Sequence, residues 1–406
     1  MTYHAYNPQR QPAVSLGAFN LLSMQIPTLG QYLLPNLRSI SWELESWDKA
    51  PFLRLFLNPE LVSVRIEFPD NKLHLYRPAT VSLIPTGGLT HLRLEFMGRE
   101  YFPLDATSNL LDAASETLRS VGLDVDEEPP VAIAEKLLQL PNLRCLEVQL
   151  PGTRISPPAV VFPSLEKLVV CCRESDSLLH TLQNIPNPTL RELNVSFSGS
   201  SPSYLQTLAS SLLGASIERT LLSLDFFSGI PLTEAEIRPL LLFRRLTRLN
   251  LSPDCTGEGC NAQFDDSIIS ELAMALPQLT SLSLGGFPCA ATSDVTVTSL
   301  VTLSINCVDL DFLRLHLNTT DIITRRTHTH SRTQKFTCKL RTLSVGSQPL
   351  PSGTDDILLV TFTILLIFPR LETIESSTRD RSWEQVRRGV RLFHEASTII
   401  PLPTEN

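Results

Sequence analysis

A short phrase recurs along this chain, and it limits the possible folds more than any other feature. It reads Leu-Pro-Asn-Leu-Arg-Ser-Ile-Ser-Trp from Leu34 to Trp42 and Leu-Pro-Asn-Leu-Arg-Cys-Leu-Glu-Val from Leu140 to Val148. It returns from Phe162 to Val170, from Leu276 to Leu284 and from Phe368 to Ile374. Further copies of Leu-x-x-Leu-x-Leu, with Ile, Val or Phe at the later positions, start at Leu61, Leu89, Leu118, Leu190, Leu221, Leu246, Leu300 and Leu340. For most of the chain the starts fall roughly 21 to 33 residues apart, which overlaps the spacing of leucine-rich repeats. Stacked units make a long surface rather than one pocket, so binding is expected before chemistry.

Within each copy the x-Leu-x-Leu portion alternates with period two. Its leucines point to one side of a short strand and the intervening residues to the other. One such strand cannot bury its apolar side alone, so neighbouring copies must stack in parallel around a shared core. Helical apolar spacing over 105–117, 132–140, 204–213, 233–243 and 265–276 supplies a second layer. Thr233 and Asp265 stand where N-caps belong, and Pro141, Pro163 and Pro277 stand where helices must stop. The predicted fold class is an α/β leucine-rich-repeat solenoid, with parallel strands on the concave face and irregular helices on the convex face. The Asn that ties the turn in many such repeats is mostly missing, so irregular turns are expected.

The organisation read from this pattern is a polar N-terminal segment and entry over 1–32, a repeat array over 33–381, and a capping helix and tail over 382–406. Trp383, Val386, Val390 and Phe393 recur at helical spacing in that cap. The apolar run from Ile357 to Phe368 is too short for a membrane span and is expected to be a buried helix. Between Leu300 and Leu340 the interval looks doubled, and it holds a polar insertion at about 319–337 with His328 and His330 among arginines. A basic patch, a solvated loop and a translated intron all remain open for it.

Apolar residues make up 42% and charged residues 19%, enough for a long core and unlike a disordered chain. A formal net charge of −8 argues against nucleic acid as the partner. The 8 cysteines are too sparse for a disulfide scaffold, and the polar start carries no signal-peptide core, so an intracellular protein, cytoplasmic or nuclear, is expected. Cys255 and Cys260 lack the second pair that a zinc site needs. No nucleophile elbow, phosphate loop or His-Glu-x-x-His motif occurs. His394-Glu395 reads as surface polarity, and Asp124, Asp126, Glu127 and Glu128 as a solvated loop. No catalytic residue, metal or cofactor is expected, and an enzyme with an unrecognised site is the remote alternative.

The repeated phrases, the stretch from Ile40 to Phe68 and the block from Thr354 to Glu375 resemble the fungal (basidiomycete) F-box/leucine-rich-repeat proteins, of the ribonuclease-inhibitor-like repeat class. The resemblance spans about Leu33 to Ala396. It implies that the repeats present a substrate to a ubiquitin ligase while an F-box docks on a Skp1-type adaptor. Residues 1–32 carry no Leu-Pro-x-Glu-Ile-Leu-like start. The chain is therefore expected to be the substrate-binding half, meeting Skp1 only if an F-box is restored upstream. The alternative is a repeat-only interaction scaffold with no ligase link.

The expected partner is a protein on the concave face, with no nucleic acid and no membrane, and the chain is expected to be monomeric. The residues beside the second leucine of each strand face that partner. They are Ser39, Ser41, His91, Arg93, Glu147, Lys167, Glu192, Asn194, Arg248, Asn250, Ser281, Ser283, Thr342 and Ser344. This mixture of small, polar and oppositely charged groups suits a protein better than a polyanion.

Overall fold

The computed structural model describes residues 32–44, 47–68, 76–96, 102–125, 128–152, 163–183, 189–199, 203–229, 232–253, 264–285, 294–319, 336–346, 350, 353–376 and 381–399. The chain divides into two compact units, Met1–Gln149 and Leu150–Asn406.

In the first unit, β1 (Ser39–Glu43), β2 (Ser63–Phe68), β3 (His91–Phe96), β4 (Ser120–Val125) and β5 (Cys145–Gln149) pair in parallel in chain order. A 3₁₀ turn at Trp47–Leu55 and helices α1 (Tyr76–Val81), α2 (Leu104–Ala113) and α3 (Val131–Leu138) connect them. Parallel neighbours cannot be joined by a tight hairpin, and these helical segments lie in the crossovers between consecutive strands. The leucines predicted to point inward do so: Val64, Ile66, Leu92, Leu94, Val121, Leu123, Leu146 and Val148 are all buried. Phe68 and Phe96 extend that core as a stacked pair with centroids 4.8 Å apart.

The second unit repeats the plan with β6 (Lys167–Cys172), β7 (Glu192–Phe197), β8 (Ser223–Ser228), β9 (Arg248–Pro253), β10 (Ser281–Leu284), β11 (Phe312–Leu315), β12 (Thr342–Val345) and β13 (Thr373–Ser376), again parallel and in order. Its helices are α4 (Ser175–Gln183), α5 (Tyr204–Gly214), α6 (Glu234–Ile237), α7 (Asp266–Ala275), α8 (Val297–Asn306), α9 (Thr354–Ile367) and α10 (Arg381–Ile399). Thr233 closes a capping box with Glu236, and the Asp265 carboxylate accepts from the backbone N–H of Ser267 and Ile268. Threonine hydroxyls partly replace the missing asparagine. Those of Thr189, Thr247 and Thr280 donate to carbonyls of the preceding repeat, at Leu165, Leu222 and Thr247.

Three expectations need correction. Leu300–Ile305 is not a strand but lies within α8, started by the Thr296 hydroxyl, which accepts from Thr298 N–H. The spacing Leu-x-x-Leu serves a helix face as well as it opens a strand phrase, so the two are confused when read locally. The strand of this repeat is β11, from the copy Leu310-Asp-Phe-Leu-Arg-Leu315. Cys307 stands ahead of it where other copies have Leu or Phe. Its thiol donates to the carbonyl of Leu276, 31 residues earlier, and the Cys338 thiol donates to the carbonyl of Cys307, again 31 residues earlier. The interval that looked doubled is thus two ordinary ones. Residues 320–335, with His328 and His330, lie outside the described residues, as do Cys255, Cys260, Asp126, Glu127 and nearly all of the 1–32 segment.

Second, α9 is buried on one side only. Ile357, Val360, Ile364 and Leu365 face the core, while Leu358, Phe362 and Leu366 are exposed. Third, in α10 Trp383, Val386 and Val390 are buried but Phe393 is exposed. His394, expected to be surface polarity, instead bonds through Nε2 to the carbonyl of Leu371, and Arg387 Nε donates to the carbonyl of Ile374 at 2.8 Å. Side chains of α10 therefore occupy backbone acceptors in and just before β13, the end of the sheet, which would otherwise template further pairing.

Candidate functional site

On each strand the residues between the buried leucines form an outward face, and the register lines them up in rows. In the first unit one row runs Ser39, Ser63, His91, Ser120, Cys145 and the next Ser41, Arg65, Arg93, Gly122, Glu147. A third row holds only carboxylates: Glu43, Glu67, Glu95 and Asp124. Strand neighbours sit about 4.8 Å apart, so these acids repel one another along the row. Two arginines offset that repulsion. Arg65 Nη2 lies 2.8 Å from Glu95 Oε1, and Arg93 Nε donates to the same oxygen at 2.5 Å. Arg93 also reaches across Gly122 to Glu147, donating from Nη2 to Oε1 at 2.9 Å and from Nη1 to Oε2. A Cβ on Gly122 would come within 3.2 Å of Arg93 Cγ, so the missing side chain is what opens this path. Burial works to lower the pKa of Arg93, but the hydrogen bonds from Glu147 and Glu95 outweigh it and leave the guanidinium more firmly protonated than usual. Glu67 is shifted upward by burial first, then by Glu43 and Glu95.

In the second unit the first row reads Lys167, Glu192, Ser223, Arg248, Ser281, Phe312, Thr342, Thr373. The row beside it reads Val169, Asn194, Asp225, Asn250, Ser283, Arg314, Ser344, Glu375. Lys167 and Glu192 pair at 3.0 Å. Strand β11 stands apart because its outward residues are large while those on both neighbouring strands are small. Phe312 lies between Ser281 and Thr342, and Arg314 between Ser283 and Ser344. One step further, the His316 ring fills the space beside Gly285 and Gly346. A Cβ on Gly285 would fall 2.6 Å from the ring, and its φ of +102° is one that other residues rarely adopt. The Arg314 guanidinium lies 5.4 Å from the Phe312 ring centroid, a cation–π stack.

All fourteen residues read from the sequence as facing a partner lie on these strands at outward register positions. Ser39, Ser41, His91, Arg93 and Glu147 belong to the first unit and the rest to the second. Ser283 and Ser344 differ from expectation in being buried, 5% and 2% exposed, on either side of Arg314. Arg65, Glu67, Glu95, Asp225, Phe312, Arg314 and His316 were missed. For Arg65 the rule of residues beside the second apolar position was sufficient and only had to be applied to Leu61–Ile66. Phe312 and Arg314 were hidden because their phrase opens with Cys307-Val308 in place of Leu-Pro. Asp124 closes the acidic row at the end of β4 and is not in a loop.

Among the described residues no group of three or more His, Cys, Asp and Glu could hold a metal ion, and no helix is long and apolar enough to cross a membrane. The thiols of Cys172, Cys307 and Cys338 are buried. Burial pushes Cys172 up to about 11 and Cys307 up to about 12.

The fold and these faces define a leucine-rich-repeat protein of strand–helix units. No family model matches the sequence, and no curated protein matches it. Among solved structures, the chain is similar to one in the crystal structure of the Rad7 and Elc1 complex of yeast. The identity is 17% and the TM-score 0.39, over 64% of this chain and 74% of that one.

Proposed function

We propose that the chain is a non-catalytic protein-recognition scaffold whose outward strand faces hold a protein partner. The observation that carries this is the composition of those faces. Row after row they present hydroxyls, amides and charges of both signs, with Phe227 and Phe312 among them, on strands whose opposite sides are packed in the core. A rigid sheet holds such groups at fixed spacings, which favours a surface partner over a small molecule. The finer reading, presentation of a substrate to a Skp1-containing ubiquitin ligase, rests on the sequence resemblance to F-box/leucine-rich-repeat proteins.

A photo-crosslinking amino acid at Arg248 or Thr373 on the outward face, or at Met274 on a helix, tests the scaffold reading in host cells. Specific protein adducts are expected from the two strand positions and not from Met274. Adducts only from Met274, or none anywhere, would refute it. The ligase reading predicts that Skp1 is recovered with the protein expressed from its own gene in host cells, and it fails if Skp1 is absent from that pull-down.

A further inference from the structure

We infer that the chain forms a two-fold dimer through helix α9, with the same helix of a second copy packed antiparallel across its outward side. The face lies among the helices of the second unit, so it adds to the strand-face recognition reading and does not depend on it. It also departs from the monomer expected from the sequence. The inward residues of α9 are apolar, as any helix packed on a sheet requires, but so are the outward ones: Leu358, Phe362 and Leu366 are 48%, 56% and 71% exposed. Other helices of the unit turn polar groups outward, such as Gln206, Thr207 and Ser210 on α5, or Gln385, Arg388 and Arg391 on α10. A helix that is apolar all round belongs where both of its sides are covered.

Helix α10 widens the patch. It packs so closely on α9 that a Cβ on Gly389 would fall 2.9 Å from Thr361 Cγ2, and one turn later it exposes Leu392 and Phe393. Together these five side chains leave on the order of 500 Å² of apolar surface open to water, at the high end for a monomer. That is a little under two-thirds of the roughly 800 Å² per partner in a standard interface, which is the apolar share of homodimer contacts.

Charge selects a second copy as the occupant. Asp355 stands at the start of α9, two turns before Phe362 and on the same side, and Arg370 stands just past its end. Both are exposed, and neither makes an ion pair among the described residues. The row therefore reads acid, three apolar residues, base, and it is complementary to itself reversed. A two-fold axis at Phe362 sets Leu358 against the partner's Leu366 and Asp355 against the partner's Arg370. At 1.5 Å per residue the two charges lie about 10 to 12 Å from the axis on either side, so the ends meet in register.

Sedimentation velocity of the full chain over a range of concentrations decides this. The expected result is twice the chain mass at high concentration, returning to one chain on dilution. Phe362→Lys sets two like charges at the axis and should weaken association at least about a hundredfold. Leu242→Lys, at a position equally exposed on the 3₁₀ turn Arg238–Leu242, should leave association unchanged. Asp355→Arg and Arg370→Asp should each weaken association about tenfold, and the two together in one chain should restore it, which a foreign partner would not reproduce. Both charge variants are on the surface and stand as the test should Phe362→Lys not fold. A single-chain mass at every concentration overturns the dimer. So does a doubled mass that Phe362→Lys leaves intact, or a double reversal that associates no better than the single ones. A monomer that instead binds phosphatidylcholine vesicles or a foreign protein through Phe362 also overturns it, because the face then has another occupant.

Discussion

Arg93 and Glu147 are joined across an intervening strand by a two-pronged ion pair that exists because residue 122 is glycine. The pair spans β3 to β5 and ties together outward positions that the backbone ladder links only through β4. Both side chains are about one-third exposed, 31% and 35%, so solvent screens much of the Coulomb energy. A double-mutant cycle with Arg93→Gln and Glu147→Gln should give a coupling of about 1 kcal/mol, at the upper end for exposed pairs because the contact is two-pronged. Gly122→Val should abolish that coupling by standing in the path of Arg93. A cycle repeated in the Gly122→Val background that still shows the full coupling would mean the glycine is not the reason.

Glu67 gives the first unit a stability that depends on pH in an unusual direction. Its folded pKa is raised above the ordinary 4.5 by burial and by the neighbouring acids Glu43 and Glu95. Over the window from 4.5 up through the raised value, the folded state binds more protons than the unfolded one. Stability therefore falls as pH rises through that window and stays reduced above it. Glu67→Gln should raise the denaturation midpoint at neutral pH, and the gain should shrink as pH is lowered toward 4.5. Chemical denaturation at several pH values measures this; a gain that grows on acidification would contradict it.

The fold was readable because a period-two apolar pattern has few structural solutions when it recurs at constant spacing. Val64, Leu92, Val121 and Leu146 had to share one side, and the polar residues between them had to share the other. What was not readable depended on neighbours remote in sequence. Nothing local distinguishes Leu300-x-x-Leu303 on a helix from the same spacing opening a strand; the hydroxyl of Thr296 and the apolar side of α8 decide it. His394 looked like surface because its acceptor, the carbonyl of Leu371, is 23 residues away. The Arg93–Glu147 pair depends on register, which sets Gly122 between them and is invisible until the strands are aligned.

Cysteine reactivity offers a check that needs no mutation. Cys171 and Cys172 are adjacent on β6 and point to opposite sides, the first exposed and the second buried against Tyr204, with Sγ 3.6 Å from its hydroxyl. Burial holds the Cys172 thiol protonated, with its pKa near 11, and Cys307 likewise near 12. Only the thiolate is an effective nucleophile. Iodoacetamide at mildly alkaline pH should therefore modify Cys171 rapidly and leave Cys172, Cys307 and Cys338 untouched until denaturant is added. Peptide mapping by mass spectrometry reads the outcome, and early labelling of Cys172 would place it on the wrong side of the strand.

Asp266 joins two successive helices in the second unit through three hydrogen bonds to its carboxylate. From the first turn of α7 its carboxylate accepts from the backbone N–H of Thr296 at 2.8 Å, from the Thr296 hydroxyl at 2.5 Å and from the hydroxyl of Ser299. Thr296 is the N-cap of α8, and Ser299 is completely buried. Removing the carboxylate thus strips a charged acceptor from three donors and leaves at least one hydroxyl buried without a partner. Asp266→Ala should cost about 2 to 4 kcal/mol, since bonds to a charged group and an orphaned donor both count. Asp266→Asn keeps one acceptor oxygen, loses the charge, and should cost roughly half as much. Urea unfolding gives both values. A loss for Asp266→Ala within about 0.5 kcal/mol of wild type, as for an ordinary surface substitution, would show that the network contributes no stability.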